Sequence, residues 1–402
     1  MVERKEAAAF WGYVVASVLA VVALIGFGAW VYELVYGLAV TGMRNVISWG
    51  LYIFTFVYFV KLSAGGLIVA SSAEVFGIAA LKPLARIGVL TAAICVALAA
   101  MFIIPDMGRP DRLLNILLYP NFRSPIVWDI SIISFYLLLS VADFTLLSAP
   151  PERQRRVLIK ALAILGLPAA FALHSITGWI FGVQISRPYW NTALMAPMFV
   201  VSAILSGSAL ISLIAALLQR FAGFRFEPST WRALATLMAA SLAIDLYFVF
   251  CEYVTVLWGV VPRDMIPYGM LMPSGKFGAL SAIEWFVGGL APFVLLVLPV
   301  TRARVGYVAT SAALILAGVY AFQIGLTNVG EANPLIQLPP GNSLGTFTEG
   351  APVFQLVGQY APTWVEYSIL AGLVAFGVLA FMLVYRFLGV HTRGHESPVS
   401  AA

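Results

Sequence analysis

The sequence predicts an all-α polytopic membrane protein with about ten transmembrane helices. Of the 402 residues, 61% are hydrophobic and 10% are charged, whereas soluble domains carry roughly 25% charged residues. The mean hydropathy is +0.96. Apolar runs of about 20 residues recur from Phe10 towards the C-terminus, and each is long enough to cross roughly 30 Å of hydrocarbon as a helix. The composition therefore excludes a soluble enzyme and makes the lipid bilayer the first expected partner.

The predicted spans form a single domain, residues 1–402. Their approximate bounds are 10–36, 46–77, 86–104, 126–147, 157–182, 195–221, 232–260, 279–300, 305–325 and 364–389. The one long connection, residues 326–363, contains Asn-Pro, Pro-Pro-Gly-Asn and Glu-Gly steps, which favour an ordered surface loop or a half-buried hairpin. We expect this segment to be an insertion that faces a partner.

The distribution of Lys and Arg predicts that both termini are cytoplasmic. Fifteen of the 23 basic residues lie on the side of the N-terminus, seven lie on the other side, and Lys61 lies inside the second span. Cytoplasmic loops carry the excess of positive charge in membrane proteins. The net charge of +5 is therefore interpreted as a topology signal, and we expect no nucleic-acid partner.

The outer loops are chemically richer than the cytoplasmic ones, although they carry fewer positive charges. They contain Asp106-Met107-Gly108-Arg109-Pro110-Asp111-Arg112 and Arg187-Pro188-Tyr189-Trp190-Asn191, besides the long segment 326–363. The cytoplasmic loops carry mainly topogenic clusters of charge. A functional partner is therefore expected on the outer face.

Lys61 is a basic residue in the middle of an apolar span. Ionisable side chains inside a membrane are costly and mark functional sites by default. One interpretation makes Lys61 a proton relay or a ligand-binding cation, and the other makes it a structural partner of a carboxylate. The small residues Ser63 to Gly66 beside it would allow close helix packing.

Asp245 and Glu252 lie seven residues apart in the seventh span, which is two helical turns and places them on one face. Together with Tyr253 they could form a proton path. The alternative is that both pair with polar residues of neighbouring helices.

His174 is the only histidine in a predicted span. A haem with two axial histidines is therefore excluded within one chain, and the two cysteines, Cys95 and Cys251, are too few for an iron–sulfur cluster. A neutral imidazole near Thr177 could bond a quinone carbonyl and carry its proton. The alternative is a histidine that serves packing alone.

Several acidic and aromatic residues lie near the ends of predicted spans. Asp129 and Glu366 are expected where water still reaches, as anchors, and Asp129 is close in depth to His174. The remaining carboxylates of this kind are interpreted as interfacial: Glu33, Glu74, Asp143 and Glu284. Seven tryptophans fit an aromatic belt at the membrane surfaces: Trp49, Trp128, Trp179, Trp190, Trp258, Trp285 and Trp364.

A series of short motifs in a fixed order resembles the polysulfide-reductase-type membrane subunits of the NrfD/PsrC family, which includes the HybB and DsrP proteins. The matching motifs are Thr41-Gly42-Met43-Arg44-Asn45, Ser48-Trp49-Gly50, Ser63-Ala64-Gly65-Gly66, Pro83-Leu84-Ala85-Arg86, the Asp106–Arg112 loop, Asn121-Phe122-Arg123-Ser124-Pro125 with Trp128, His174-Ser175, Arg187–Asn191 and Pro362-Thr363-Trp364-Val365-Glu366. Where some members carry polar residues ahead of Ala-Gly-Gly, this chain has Phe54, Phe56 and Val57.

This resemblance implies two helix bundles with flanking helices in a prokaryotic cytoplasmic (inner) membrane. It also implies that the chain, itself without haem, exchanges electrons between a quinone (menaquinone or ubiquinone) and an extrinsic ferredoxin-like 4Fe-4S subunit on the outer, periplasmic face. Such a subunit often leads to a molybdopterin catalytic subunit. The histidine that the family carries ahead of its Arg-Pro motif corresponds to His174, as a hydrogen-bond partner of quinone.

The predicted function is therefore a membrane anchor and quinone-reactive subunit of a respiratory oxidoreductase complex. His174 and Asp129 are the predicted catalytic residues, and no metal site is predicted. The predicted pocket and rim comprise His174, Thr177, Arg187, Trp128, Asp106 and Arg109. Lys61, Asp245 and Glu252 form a predicted proton path. The rival predictions are a proton- or ion-coupled secondary transporter and a purely structural anchor.

Overall fold

Ten long helices make up the fold. The computed structural model describes residues 2–44, 47–150, 153–332 and 360–387, and within these ranges ten helices are long and apolar enough to cross a membrane. They are α1 (Val2–Tyr36), α2 (Leu51–Val75), α3 (Ala85–Asp106), α4 (Pro125–Ser148), α5 (Arg156–Gly182), α6 (Met195–Phe221), α7 (Pro228–Gly259), α8 (Gly278–Val297), α9 (Val305–Ala332) and α10 (Trp364–Phe387). The predicted all-α fold class is confirmed.

The bounds differ from the prediction mainly at α9. This helix continues to Ala332, so the first seven residues of the predicted loop 326–363 are helical. The prediction was wrong because Asn328, Gly330 and Glu331 are residues typical of turns; here they lie buried inside the protein and keep the helical backbone. Residues 333–359 lie outside the described ranges, so the role of that segment as a partner-facing insertion stays a prediction.

Two four-helix bundles form the centre of the molecule. In the first, α2, α3, α4 and α5 pack in a ring, so that α2 and α4 are diagonal to each other. In the second, α6, α7, α8 and α9 form a similar ring. The bundles join where α2 packs against α6 and α9, and α1 pairs with α10 beside α3. The expected two bundles with flanking helices are thus confirmed.

Glycines set the closest approach of α2 to its neighbours α6 and α3. A Cβ atom on Gly65 of α2 would lie 2.0 Å from the carbonyl carbon of Gly207 in α6, and one on Gly66 would lie 1.9 Å from the carbonyl oxygen of Gly88 in α3. Small residues let membrane helices approach closely and gain dispersion contacts. The close packing predicted beside Lys61 is therefore confirmed.

One membrane helix departs from α geometry. Residues Ile283–Leu290 of α8 are π-helical. A run of this kind widens the helix locally, and π-bulges are frequent at functional sites. Glu284 lies in the first turn of this segment, and its carboxylate therefore comes from a distorted part of the helix.

The two ends of the bundle differ in their connections. The loop end carries residues 37–44, 47–50, 107–124, 183–194, 260–277 and 360–363, and the far end carries residues 76–84, 149–150, 153–155, 222–227 and 298–304. The loop end corresponds to the predicted outer face. Its sidedness in the membrane stays a prediction from the charge distribution.

Candidate functional site

A polar column runs along the axis of the first bundle, where α4 faces its diagonal neighbour α2. Asp129, Tyr136, Ser140 and Asp143 lie at positions i, i+7, i+11 and i+14 of α4 and are all buried. This spacing keeps them on one helix face. We call this face, together with the buried or half-buried polar groups opposite it, the first polar column; its members are Asp129, Tyr136, Ser140 and Asp143 of α4, Ser63, Ser71 and Glu74 of α2, and His174 and Thr177 of α5.

The loop-end half of this column contains the predicted catalytic pair. The Thr177 hydroxyl donates to Asp129 Oδ1 at 2.6 Å, and Asp129 is 3% exposed. His174 lies one turn below, with Nδ1 2.6 Å from the Ala170 carbonyl oxygen and Nε2 3.1 Å from the Val60 carbonyl oxygen. The structure therefore brings Asp129, Thr177 and His174 together, but both imidazole nitrogens already face backbone acceptors.

The middle of the column connects α4 to α2. The Tyr136 hydroxyl donates to the Ser63 carbonyl oxygen at 2.9 Å, and the Ser63 hydroxyl donates to the Val60 carbonyl oxygen at 2.7 Å. The Val60 carbonyl oxygen is the one that His174 contacts. A polar layer thus crosses the first bundle at the level of Lys61.

A second polar column follows a crevice in the second bundle. It comprises Lys61, Ser202, Asp245, Glu284, Glu252, Thr192 and Tyr268. Asp245 and Glu284 line its middle part, and Glu252, Thr192 and Tyr268 line the part nearer the loop end; Glu284 borders both parts. Each part is narrow, with room for about one water molecule. The shape suits an ordered water and excludes a quinone ring.

Lys61 lies beside this crevice, next to the lining residues Ser202 and Phe322, and is fully buried. Its Nζ is 3.3 Å from Ser202 Oγ and lies over the rings of Phe199 and Phe322, 4.2 and 4.9 Å from their centroids. Asp245 and Glu284 interact with it electrostatically, yet within the described ranges no carboxylate forms a direct ion pair with it. A water molecule can bridge such groups.

Glu252 is bonded at the loop-end part of the crevice. Its carboxylate accepts from the Thr192 hydroxyl at 2.5 Å and from the Tyr268 hydroxyl at 3.3 Å. Asp245 and Glu252 both line the crevice, with Val249 between them. The prediction that they share one face of α7 is confirmed, and the predicted pairing of Glu252 with polar neighbours also occurs.

Four carboxylates gather at the loop end, contributed by α1, α3, α9 and α10. We call Glu33, Asp106, Glu331 and Glu366 the carboxylate cluster. Asp106 interacts electrostatically with the other three. Among the described residues, its buried Oδ1 atom has no hydrogen-bond partner, and neither has the buried indole Nε1 of Trp30, which lies one turn from Glu33 on α1. The described residues therefore leave unused one acceptor in the cluster and one donor a helical turn away from it.

The other three carboxylates of the cluster accept hydrogen bonds from the segments that surround the cluster. Tyr52 donates to Glu33 at 2.5 Å. Glu331 accepts from the Ser48 hydroxyl at 2.8 Å and the Trp49 amide at 2.9 Å. These bonds fix the Ser-Trp-Gly motif against the end of α9.

Glu366 makes the largest number of these connections. It accepts from the Gly42 amide at 2.7 Å, from the Thr363 amide at 2.9 Å and from the Tyr360 hydroxyl. It is fully buried. Its expected role as an anchor at the start of the tenth span is supported, but its expected access to water is wrong, because these bonds enclose it.

Arg187 lies beside the cluster and away from His174 and Asp129 in its contacts. Its guanidinium donates to the carbonyl oxygens of Gly330 and Glu331 at 3.2 and 3.0 Å. Partial burial lowers the pKa of this guanidinium, an effect that the carboxylate of Glu331 opposes. Arg187 therefore closes the end of α9.

Trp190 packs inside the protein and is 3% exposed, so its assignment to the aromatic belt was wrong. It stacks on Trp49 with ring centroids 5.5 Å apart, and its Nε1 donates to the Leu326 carbonyl oxygen at 2.7 Å. A Cβ atom on Gly330 would lie 1.9 Å from that nitrogen. Only glycine fits there, and the indole is thus held against α9.

Trp128 and Arg109, both predicted at the pocket rim, are more exposed than the other residues of the predicted pocket. Trp128 donates from Nε1 to the Phe122 carbonyl oxygen at 2.7 Å. Arg109 pairs with Asp111 through two 2.9 Å contacts on the surface. A partner protein could reach Arg109, whereas its contacts do not place it at any buried group of the site.

Sequence similarity relates this fold and its polar groups to a known family. A family model described as polysulphide reductase, NrfD, matches residues 39–330. The chain belongs to the polysulphide reductase NrfD family. The matched residues hold α2 to α9, the two four-helix bundles, whereas α1 and α10 lie outside them.

Individual relatives of this family member are similar over nearly their whole length. The chain is 35% identical to a putative dimethyl sulfoxide reductase membrane subunit of Halobacterium salinarum, over 92% of this chain and 90% of the relative. It is 29% identical to an Hdr-like menaquinol oxidoreductase integral membrane subunit of Archaeoglobus fulgidus, over 92% and 91%. It is 23% identical to a selenate reductase subunit of Mesobacillus selenatarsenatis, over 94% and 95%.

Three carboxylates of the cluster and the crevice were interpreted from the sequence as interfacial or as loop residues. Glu284 lies inside a predicted span, so the rule that an intramembrane charge marks a site could have identified it. Glu331 stood in a stretch that resembled a loop, and Glu33 at the end of a span. Their grouping depends on which helices meet, and the sequence pattern carries no signal for it.

Proposed function

We propose that this protein is the membrane subunit of a quinone-linked oxidoreductase complex. In this role it exchanges electrons between membrane quinone and an extrinsic iron–sulfur subunit docked at the loop end, which connects to a molybdopterin catalytic subunit. The observation that carries the proposal is the similarity along almost the whole chain to subunits named for dimethyl sulfoxide reductase, selenate reductase and menaquinol oxidoreductase.

The carboxylate cluster fits a quinone better than the group around His174 does. A quinone needs a hydrogen-bond donor for its carbonyl oxygens, and its reduced form needs an acceptor for its hydroxyls. Among the described residues, the Nε1–H of Trp30 has no acceptor and Asp106 Oδ1 has no donor. Around His174, the Thr177 hydrogen is already donated to Asp129 and both ring nitrogens face carbonyl oxygens.

A bound quinone would supply two-electron, two-proton redox chemistry. The chain would bind its head group through Trp30 and hold a transferred proton on Asp106. Tyr52 and Tyr360 donate their hydroxyl hydrogens to Glu33 and Glu366. These bonds fix the orientation of the two carboxylates around Asp106. His174 and Asp129 then act below this site as groups that position α2 and α5, rather than as the first contacts of quinone.

The second polar column supports a proton path through Lys61, Asp245 and Glu252, with Glu284 added. These side chains come from three helices. Asp245, Glu252 and Glu284 border the crevice, and Lys61 reaches it through Ser202 of a fourth helix. Carboxylates and waters in such a chain can pass protons between neighbours. The path would connect the level of Lys61 with the loop end.

The test begins with gentle solubilisation from the native membrane and mass spectrometry of everything that co-purifies. We expect an iron–sulfur subunit and a bound quinone. The complex is then assayed for oxidation of menadiol, a soluble quinol, with Asp106→Asn beside the matched control Asp111→Asn in the same loop. Loss of turnover in Asp106→Asn alone supports the proposed site. Equal activity in both variants contradicts it.

One observation favours the secondary transporter as a second candidate: Glu284 lies in a π-helical segment beside buried Lys61 and Asp245. Distorted helices line binding sites in many transporters. A lone chain that drives proton uptake into liposomes, followed with pyranine inside, and that loses this activity as Asp245→Asn would favour it. Co-purification with redox subunits argues against it.

A further inference from the structure

The far-end half of the first polar column contains buried polar atoms that no described residue bonds. Within the described ranges, Ser71 Oγ of α2, Ser140 Oγ of α4 and Asp143 Oδ1 of α4 all lack a hydrogen-bond partner. Ser71 and Ser140 are fully buried, and Asp143 is 2% exposed. Each buried polar group without a partner costs about 1–3 kcal/mol, so three together need a common explanation.

The three atoms share one location by the geometry of the helices. Ser140 and Asp143 are one turn apart on the face of α4 that points to α2, and Ser71 and Glu74 are one turn apart on α2. Glu74 interacts electrostatically with Asp143 across the bundle axis. The polar groups of the two diagonal helices therefore face one another at the same depth.

Gly166 lets α5 approach this location closely. A Cβ atom at this position would lie 2.9 Å from Ser71 Oγ and 2.9 Å from a methyl group of Leu67. The helix thus keeps a small residue where a hydroxyl points towards it. Buried waters in proteins make about three hydrogen bonds to groups of this kind, and the hydroxyls and carboxylate here supply them.

The polar groups continue in both directions from this location. Tyr136 lies one turn nearer the loop end than Ser140. Its hydroxyl donates to the Ser63 carbonyl oxygen at the level of His174. Towards the far end, Glu74 is partly exposed near the end of α2, and Arg86 donates to the Leu147 carbonyl oxygen at 3.2 Å on the adjoining side. From Asp129 to Asp143 the face extends about 21 Å along α4, which is most of the hydrocarbon thickness.

We infer that this location is a hydrated half-channel that admits protons from the far end of the protein, past Glu74, Asp143, Ser71 and Ser140, as far as Tyr136. Each hydroxyl or water in it releases one proton as it accepts another, so that only O–H bonds form and break. Its use in redox chemistry rests on the proposed function, in which the proton is taken up or released by quinone. The half-channel lies in the first bundle and is separate from the crevice of the second.

Accessibility to a small aqueous ion tests the hydration directly. In a background of Cys95→Ala and Cys251→Ala, single Ser140→Cys and Ser71→Cys variants of the complex are treated with silver ions in native membrane vesicles of either orientation. Unreacted thiols are then counted by alkylation and mass spectrometry. Ser134→Cys is the matched control, because Ser134 lies on the exposed, lipid-facing side of α4.

We expect silver added at the far end to modify Cys at 140 and at 71 on the order of tenfold faster than Cys at 134, because a thiol in a dry apolar site seldom ionises. Addition at the loop end should give the slow rate. Rates at 140 and 71 as slow as at 134 would overturn the half-channel. Two variants on different helices keep the test valid if one of them fails to assemble.

The failure of the half-channel and that of the proposed function give different results. If the wild-type complex does not oxidise menadiol although the cysteines react rapidly, the quinone role is wrong and the half-channel stands. If menadiol is oxidised but the cysteines stay unreactive, the half-channel is wrong. If the wild-type complex oxidises menadiol and the cysteines react rapidly, Asp143→Asn should reduce the pH change inside sealed vesicles for each menadiol oxidised. An unchanged ratio of pH change to menadiol oxidised would contradict proton conduction.

Discussion

The two polar columns differ in how their polar groups are satisfied. In the loop-end half of the first column, Thr177 bonds Asp129 and both nitrogens of His174 contact carbonyl oxygens, all in a buried setting. In the second column, Lys61 has one weak hydroxyl contact, and Asp245 and Glu284 border a crevice. The two columns thus differ in the hydrogen bonding of their ionisable groups, although both contain such groups in buried positions.

The contact between α2 and α6, where the two bundles meet, should be the place where a substitution most reduces the stability of the protein. Gly65→Ala would drive a Cβ atom into Gly207, and such overpacking costs about 1–3 kcal/mol or more. We expect loss of folded protein, measured by size-exclusion chromatography and thermal unfolding in detergent. Gly12→Ala is the control, because nothing lies within 4 Å of its added Cβ atom. Equal unfolding temperatures for both variants would show that the bundles can separate without cost.

In the first column, Asp129→Ala should destabilise the protein by about 0.5–1.5 kcal/mol, because the bond from the buried Thr177 hydroxyl to the carboxylate is lost while the hydroxyl keeps the Leu173 carbonyl oxygen as an acceptor. Asp129→Asn keeps an oxygen at the same place and should recover most of the loss. Thermal unfolding of the two variants measures this difference. If Asp129→Ala were as stable as wild type while menadiol oxidation ceased, the group would be catalytic and our comparison would be reversed.

In the second column, Lys61→Met should leave the stability unchanged or raise it by about 1 kcal/mol, because an apolar side chain of similar length replaces a costly buried charge. Proton movement per menadiol oxidised should nevertheless fall, as measured with pyranine in sealed vesicles. Lys61→Arg keeps the charge and serves as the comparison. A strongly destabilised Lys61→Met would mean that Lys61 is a structural partner, which was the alternative interpretation of the sequence.

The smallest effect is expected at the surface of the loop end. The bond to Arg109 holds the pKa of the Asp111 carboxyl below its usual range, so the pair is intact at neutral pH and is lost as the pH falls through that lowered pKa. Because both side chains are exposed, Arg109→Gln should not change the unfolding temperature of the chain. Weaker retention of the extrinsic subunit in salt washes would place Arg109 at the interface, and unchanged retention would remove it from there.

Most of the fold could be predicted from the sequence because the bilayer allows few backbone conformations. Long apolar runs must be helices in hydrocarbon, where every backbone group needs an internal partner. The ten spans were therefore predictable, as was the shared face of Asp245 and Glu252 on one helix. The prediction for residues 326–332 failed because Asn328, Gly330 and Glu331 form helix only when α9 is buried by Arg187 and Trp190.

The sequence by itself determined which residues are costly in a membrane: Lys61, Asp129, His174, Asp245 and Glu252. What the tertiary structure decided is which of them meet. Asp106 joins Glu33, Glu331 and Glu366 because α1 and α10 pair beside α3, and Glu284 reaches Asp245 because α8 widens into a π-helix. Helix periodicity fixes the face of a side chain, whereas the partner of that face depends on the packing of distant segments, and no local pattern encodes it.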